Sequence, residues 1–157
     1  MNIPLVNLKA QYNSIKAEID NAIMRVINNT SFIMGEDVER FEKEFAEFCG
    51  RRYCIGVSSG TEALRLTLIA SGIKQGNEII TVPNTFIATA EAITTVGAKI
   101  RFIDVDDKTY NIDTNQIRSA ITDNTKAILP VHLYGQPAEM DEIIEIAKEY
   151  NLFVLED

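Results

Sequence analysis

The sequence predicts an α/β fold with a mostly parallel sheet and helices on its faces, and two patterns carry that prediction. From about Tyr53 onward, short β-branched runs alternate with segments of helical periodicity, as strands joined by covering helices do. Small, hydroxylic, aromatic and acidic residues follow the end of each predicted strand, and open α/β sheets bind their ligands outside those carboxyl ends.

Each element has a local reason. The apolar runs Tyr53–Val57, Glu78–Val82, Ile100–Ile103, Ala127–Val131 and Leu152–Leu155 are short enough for strands of a covered sheet. Thr61–Ala70, Ala88–Val96, Asn115–Ile121 and Met140–Lys148 carry the apolar spacing of helices. Residues 1–50 differ from the α/β body at 51–157. Ile15, Ile19, Ile23 and Val26 mark one amphipathic helix, and Val38, Phe41, Phe45 and Phe48 a second, with Thr30-Ser31 and Gly35 between them. These helices are expected to pack on the body or on a partner subunit. The three phenylalanines read as core rather than as a ligand-binding box. The last run ends in Glu156-Asp157 with no helix after it. A bare apolar strand face is unfavourable, so the sequence reads as truncated within an α/β domain.

Composition excludes several function classes. With 157 residues, 46% hydrophobic and 24% charged, the chain suits a folded domain rather than a disordered one. No apolar stretch approaches the roughly 20 residues that span a bilayer, and Met1-Asn2-Ile3-Pro4 opens no signal peptide. The net charge of −8 speaks against nucleic acid, whose phosphates require clustered Lys and Arg; the lone pair Arg51-Arg52 reads as solvated surface. Cys49 and Cys54 read as reduced and packed, which fits a cytoplasmic location. The pattern calls for no metal.

Chemistry concentrates after the strands. Ser59-Gly60-Thr61 stands where a helix begins, and free N–H groups at such a turn suit a phosphate; Ser59 and Glu62 could equally form a capping box that needs no ligand. The turn lacks the lysine of a P-loop and the glycine pattern of a dinucleotide fold. Phe86 follows a proline turn, placed either to stack on a flat cofactor or to pack under the next helix. Asp157 is the candidate partner for a protonated heterocycle, against a plain solvated aspartate. His132 and Tyr134 follow the fourth strand and are candidates for a substrate pocket, with a satisfied structural histidine as the other reading of His132.

In their order and spacing these residues resemble the DegT/DnrJ/EryC1/StrS family of sugar aminotransferases. The resemblance runs through Pro4-Leu5-Val6-Asn7-Leu8, Gly35–Glu42, Ser58–Leu64, Pro83-Asn84-Thr85-Phe86-Ile87-Ala88-Thr89, Phe102–Asp106, Thr125–Ile128, Val131–Gln136 and Glu156-Asp157. It implies the large domain of a fold type I transferase dependent on pyridoxal 5′-phosphate (PLP), a three-layer α/β/α arrangement. It also implies roles: Gly60 and Thr61, with Ser59 nearby, on the cofactor phosphate; Phe86 on the pyridine face; Asp157 on the pyridine nitrogen. The implied reaction converts a nucleotide-linked keto sugar to an amino sugar, with glutamate as amino donor, in a homodimer. The family's Schiff-base lysine lies past the acidic strand end, and none of Lys9, Lys16, Lys43, Lys74, Lys99, Lys108, Lys126 and Lys148 fits it, so the 157-residue chain alone is expected to be inactive. Asn77 stands where the family usually has aspartate, a neutral change in a turn. Three rival readings are a PLP-dependent sugar dehydratase on the same scaffold, with histidine in place of the lysine, a regulatory family member, and a self-contained α/β binding domain.

Overall fold

A computed structural model describes residues 4–157; the opening Met1-Asn2-Ile3, read above as free of a signal peptide, lies outside them. The chain forms two compact units, Met1–Gly56 and Val57–Asp157.

The first unit is helical. Asn7 caps α1 (Leu8–Ser14) by accepting a hydrogen bond from Ala10 N–H. The Ser14 hydroxyl then donates to the Gln11 carbonyl, competing with the helical ladder, and Ile15 leaves helical geometry before α2 (Lys16–Asn28) begins. The helix predicted from Ile15, Ile19, Ile23 and Val26 is thus α2, and α1 before it has no counterpart in the sequence reading. Helix α3 (Glu36–Phe48) carries Glu36, Asp37 and Glu39 in its first turn, the charge its N-terminal dipole favours. Arg25 of α2 reaches Asp37 of α3 at 2.6 Å. Phe41, Phe45 and Phe48 differ from the expectation of plain core. They contact one another with ring centroids 5.5 and 6.3 Å apart, yet all three are exposed. Cys49 also differs, being exposed rather than packed; both cysteines are free.

The second unit is the α/β body. After α4 (Gly60–Ala70) come β1 (Glu78–Thr81), α5 (Ile87–Thr95), β2 (Lys99–Phe102), α6 (Thr114–Ala120), β3 (Thr125–Ile128), a 3₁₀ turn at Leu133–Gly135, α7 (Met140–Tyr150) and β4 (Phe153–Val154). The sheet order is β2-β1-β3-β4 and every pair is parallel. Ile79 and Ile80 of β1, Ile128 of β3, Leu68 of α4, Ile93 of α5 and Ile143 of α7 are fully buried in one continuous core. Strand β2 lies at an edge and carries Lys99 and Arg101, charges that discourage further strand pairing. Helices α4 and α5 stop the same way. Gly72 and Gly97 have φ of 78° each, a left-handed conformation that glycine adopts without strain, and the next residue bonds back into the helix, Ile73 N–H to Leu68 O and Ala98 N–H to Ile93 O. Helix α7 closes similarly through Asn151.

One predicted strand is absent. Tyr53–Val57 forms no ladder among the described residues, and Tyr53, Ile55 and Val57 are exposed. Propensity alone does not make a strand; its N–H and C=O groups need a neighbour alongside. No helix among the described residues is long and apolar enough to cross a membrane.

The connection from β2 to α6 is held by carboxylates. Asp106 accepts from the N–H groups of Thr109 and Lys108, and these bonds lower its pKa below the ordinary 3.8. Asp113, N-cap of α6, is lowered likewise by the Gln116 side chain and then by Asn115. A depressed folded pKa stabilises above the unfolded value and is lost as pH falls through the folded one. The Val105–Ile112 loop is therefore expected to keep its amide protection at neutral pH and to lose it below about pH 3.8, as hydrogen exchange across a pH series would record.

Candidate active site

Strand order reverses beside β1, with β2 on one side and β3, then β4, on the other. The crevice at the carboxyl end of such a reversal is where open α/β sheets place ligands. Strand β1 leads there through Val82 to the Pro83-Asn84-Thr85-Phe86 turn, β3 through Leu129 and Pro130 to His132, and β4 through Leu155 to Glu156 and Asp157.

Asp157 is held at three points. Its N–H donates to Pro130 O at 3.0 Å, and its C=O accepts from His132 N–H at 2.9 Å. Its Oδ2 accepts from the Thr89 hydroxyl of α5 at 2.6 Å. The main-chain bonds extend the β3–β4 pairing past the last strand residues, which brings an acid at the end of the sequence onto the ladder of a strand some 25 residues earlier.

Phe86 is the N-cap residue of α5 and has no side-chain cap bond. The residue is 76% exposed, so of its two readings, packing under the next helix does not describe it. Thr89, three residues on, reaches Asp157, so the ring and the acid are set by a single helical turn.

Ser59 caps α4, its hydroxyl accepting from Glu62 N–H at 3.2 Å. Only half of the expected capping box forms. Glu62 turns to Arg65, with bonds of 2.8 and 2.7 Å, so its carboxylate does not return to Ser59. The N–H groups of Gly60 and Thr61 are among those a helix start leaves without an intrahelical partner. A Cβ built on Gly60 meets nothing within 4 Å. The helix bearing this turn packs on α5.

His132 is satisfied on both ring nitrogens. Ala138 N–H donates to Nδ1 at 3.1 Å, which places the ring proton on Nε2, 3.0 Å from Glu156 Oε2. Tyr134 is exposed, at a φ of 55°, and meets Tyr110 edge-on with centroids 6.4 Å apart. A separate concavity of about 340 Å³, lined by Asp106, Asn111, Asp113, Pro137 and Glu142 among others, contains none of these site residues.

Two residues escape the sequence reading. Thr89 belongs to the segment that carries the family resemblance but has no assigned role there; its four-residue spacing from Thr85 at a helix start is the available signal. Asn111 gave none. It is 2% exposed, donates to the Gln136 and Pro137 carbonyls at 3.0 and 3.1 Å, and accepts from Leu133 N–H at 3.1 Å.

The sequence pattern of the DegT/DnrJ/EryC1/StrS aminotransferase family matches residues 13–157. The chain belongs to this family. Among curated relatives, the pleiotropic regulatory protein of Geobacillus stearothermophilus is 43% identical over all of this chain and 42% of its own length. The UDP-2-acetamido-2-deoxy-3-oxo-D-glucuronate aminotransferase of Pseudomonas aeruginosa is 43% identical over 99% of this chain and 43% of its own. The crystal structure of NtdA from Bacillus subtilis with bound cofactor PMP superposes with a TM-score of 0.95 at 36% identity, covering 99% of this chain and 36% of that one. Dehydratases are also among the similar solved structures. The DegT/DnrJ/EryC1/StrS chain described here thus spans well under half the length of these relatives, and its fold is the parallel α/β fold of the aminotransferase structures. The site of this DegT/DnrJ/EryC1/StrS member fits the pyridoxal phosphate group. An aromatic ring stands free, an acid is clamped with Oδ2 engaged, and a helix start offers two N–H groups beside open space.

Proposed function

We propose that this chain forms the cofactor-binding part of a PLP-dependent aminotransferase that converts a nucleotide-linked keto sugar to an amino sugar, with glutamate as amino donor. The observation that carries the proposal is Asp157, clamped by β3 and α5 at the strand-order reversal, one helical turn from the exposed ring of Phe86. In this reading Gly60 and Thr61 bind the phosphate through their N–H groups, with the hydroxyls of Thr61 and Ser59 adding to the turn. Phe86 covers one face of the pyridine and excludes water from it. Asp157 holds a proton on the ring nitrogen. Bound PLP supplies an electron sink for charge developing at the substrate carbon, and a protonated ring is the stronger sink. His132 and Tyr134 border the sugar side, where His132, engaged at both nitrogens, shapes the loop.

The nucleotide-sugar substrate is carried over from the named aminotransferase relative, and glutamate as donor rests on the family resemblance alone. A homodimer in the cytoplasm is part of the same proposal, with residues 1–50 packing on the body or on the partner subunit; the exposed apolar residues of α2 and α3 support that packing. The Schiff-base lysine is expected outside residues 1–157, so the chain alone would bind cofactor without turnover. A regulatory role is the second reading, favoured by the relative named for one.

Full-length protein treated with PLP and borohydride, then weighed intact, is expected to carry one adduct per chain. With ¹⁵N-glutamate and a panel of UDP- and dTDP-linked keto sugars it is expected to yield labelled amino sugar. An adduct without any 2-oxoglutarate would favour the regulatory reading. No adduct, with loss of the sugar hydroxyl as water, would favour the dehydratase.

Gly60→Ala tests the phosphate turn. The added methyl meets no protein atom and alanine suits a helix better than glycine, so the thermal midpoint should hold or rise. The methyl occupies the anion's approach, and PLP affinity measured by equilibrium dialysis is expected to fall about tenfold, roughly 1.4 kcal/mol.

A further inference from the structure

Asp157 is exposed, but the group that holds its carboxylate is not: Thr89 is 1% exposed. A carboxylate oxygen only accepts, so the Thr89 hydroxyl proton points at Asp157 Oδ2, 2.6 Å away. Thr89 then has no proton left to give. The Thr85 hydroxyl, 3.1 Å from Thr89 Oγ1, must be the donor in that second bond. Chemistry thereby gives the chain one direction, from Thr85 to Thr89 to Asp157. The two threonines flank Phe86, Thr85 just before this N-cap and Thr89 in the first turn of α5, while Asp157 arrives from β4, 68 residues after Thr89. Two main-chain bonds fix where Asp157 sits but leave its side chain free to rotate; the Thr89 bond removes that freedom. Among the described residues Oδ1 has no partner, so it is the oxygen presented outward.

We propose that Thr89, oriented by Thr85, is the positioning residue that aims Asp157 Oδ1 at the cofactor's ring nitrogen. The inference rests on the assignment of Asp157 made above. Partners behind a charged ligand commonly change its affinity 10–100-fold when removed. One hydroxyl behind an acid that is already clamped at the main chain belongs at the lower end of that range.

The test uses full-length protein with Thr89→Val, Thr89→Ser, Asp157→Asn and the Thr89→Val/Asp157→Asn pair. Valine keeps the branched shape in the buried site and removes only the hydroxyl; if it does not fold, Thr89→Ala is read the same way. Two measurements are made: PLP affinity of the apoprotein by dialysis, and protonation of the ring nitrogen across pH by ¹⁵N NMR with labelled PLP. Thr89→Val is expected to weaken PLP about tenfold and to lower the pH at which the ring nitrogen loses its proton by about one unit. Thr89→Ser is expected to restore both. In the Asp157→Asn background, removing the hydroxyl should cost less than about twofold, because no carboxylate remains to aim. If Asp157→Asn behaves as wild type in both measurements, the assignment of Asp157 itself fails. If Asp157→Asn is impaired while Thr89→Val matches wild type, or Thr89→Ser is as poor as valine, Thr89 is packing only and the inference is overturned.

Discussion

Asp157→Asn in the full-length protein is expected to lower the turnover of amino transfer by about 10²–10³-fold, the scale on which a group placed against developing charge is felt. The substitution preserves shape. The asparagine carbonyl still accepts from Thr89, and the main-chain bonds to Pro130 and His132 need no side chain. What changes is the group facing the ring nitrogen: an amide N–H replaces a carboxylate, and it favours the unprotonated ring. An adjacent carboxylate is what stabilises the charged heterocycle, so the weaker electron sink appears in kcat. PLP affinity should fall only about tenfold. Stopped-flow absorbance of the half-reaction with glutamate separates the two effects, and equal losses in affinity and rate would contradict the role given to Asp157.

The second large effect is structural. Asn111→Ala is expected to destabilise the α/β body by about 3 kcal/mol. Three hydrogen bonds are lost at once, from the Gln136 and Pro137 carbonyls and the Leu133 N–H. Those groups sit on exposed or half-buried residues that water can reach, so the loss is counted at the net value of an intramolecular bond, about 1 kcal/mol each. Urea unfolding gives the magnitude, and faster hydrogen exchange at Leu133 localises it. Because the loop from His132 to Ala138 hangs on Asn111, Tyr134 should lose its fixed position before the sheet melts.

Much of the fold was legible because strands and helices in this body follow local rules. Glu78–Thr81, Lys99–Phe102 and Thr125–Ile128 fall within three residues of the predicted runs at each end, and α4 to α7 begin and end close to their predicted bounds. The isoleucines of β1 are apolar for both faces of a covered sheet, and Gly72 and Gly97 stop helices where periodicity ends. Tyr53–Val57 shows the limit of such rules. Its β-branched and aromatic residues have the propensity for a strand, but no neighbour offers a ladder among the described residues. Phe41, Phe45 and Phe48 show it again: their spacing established a helical face, not its burial.

The sequence by itself determined the parallel α/β class, the family, and the residues on which the site is proposed, since each of these depends on residue type and spacing along the chain. Tertiary structure alone decided which of those residues meet. Thr89 reaching Asp157 across 68 residues, His132 shared between Ala138 and Glu156, and Asn111 tied to a loop some 25 residues away all depend on strand order. Strand order is set by which apolar faces can be buried together, and hydrophobic burial is non-directional: no residue carries a local mark of its distant partner.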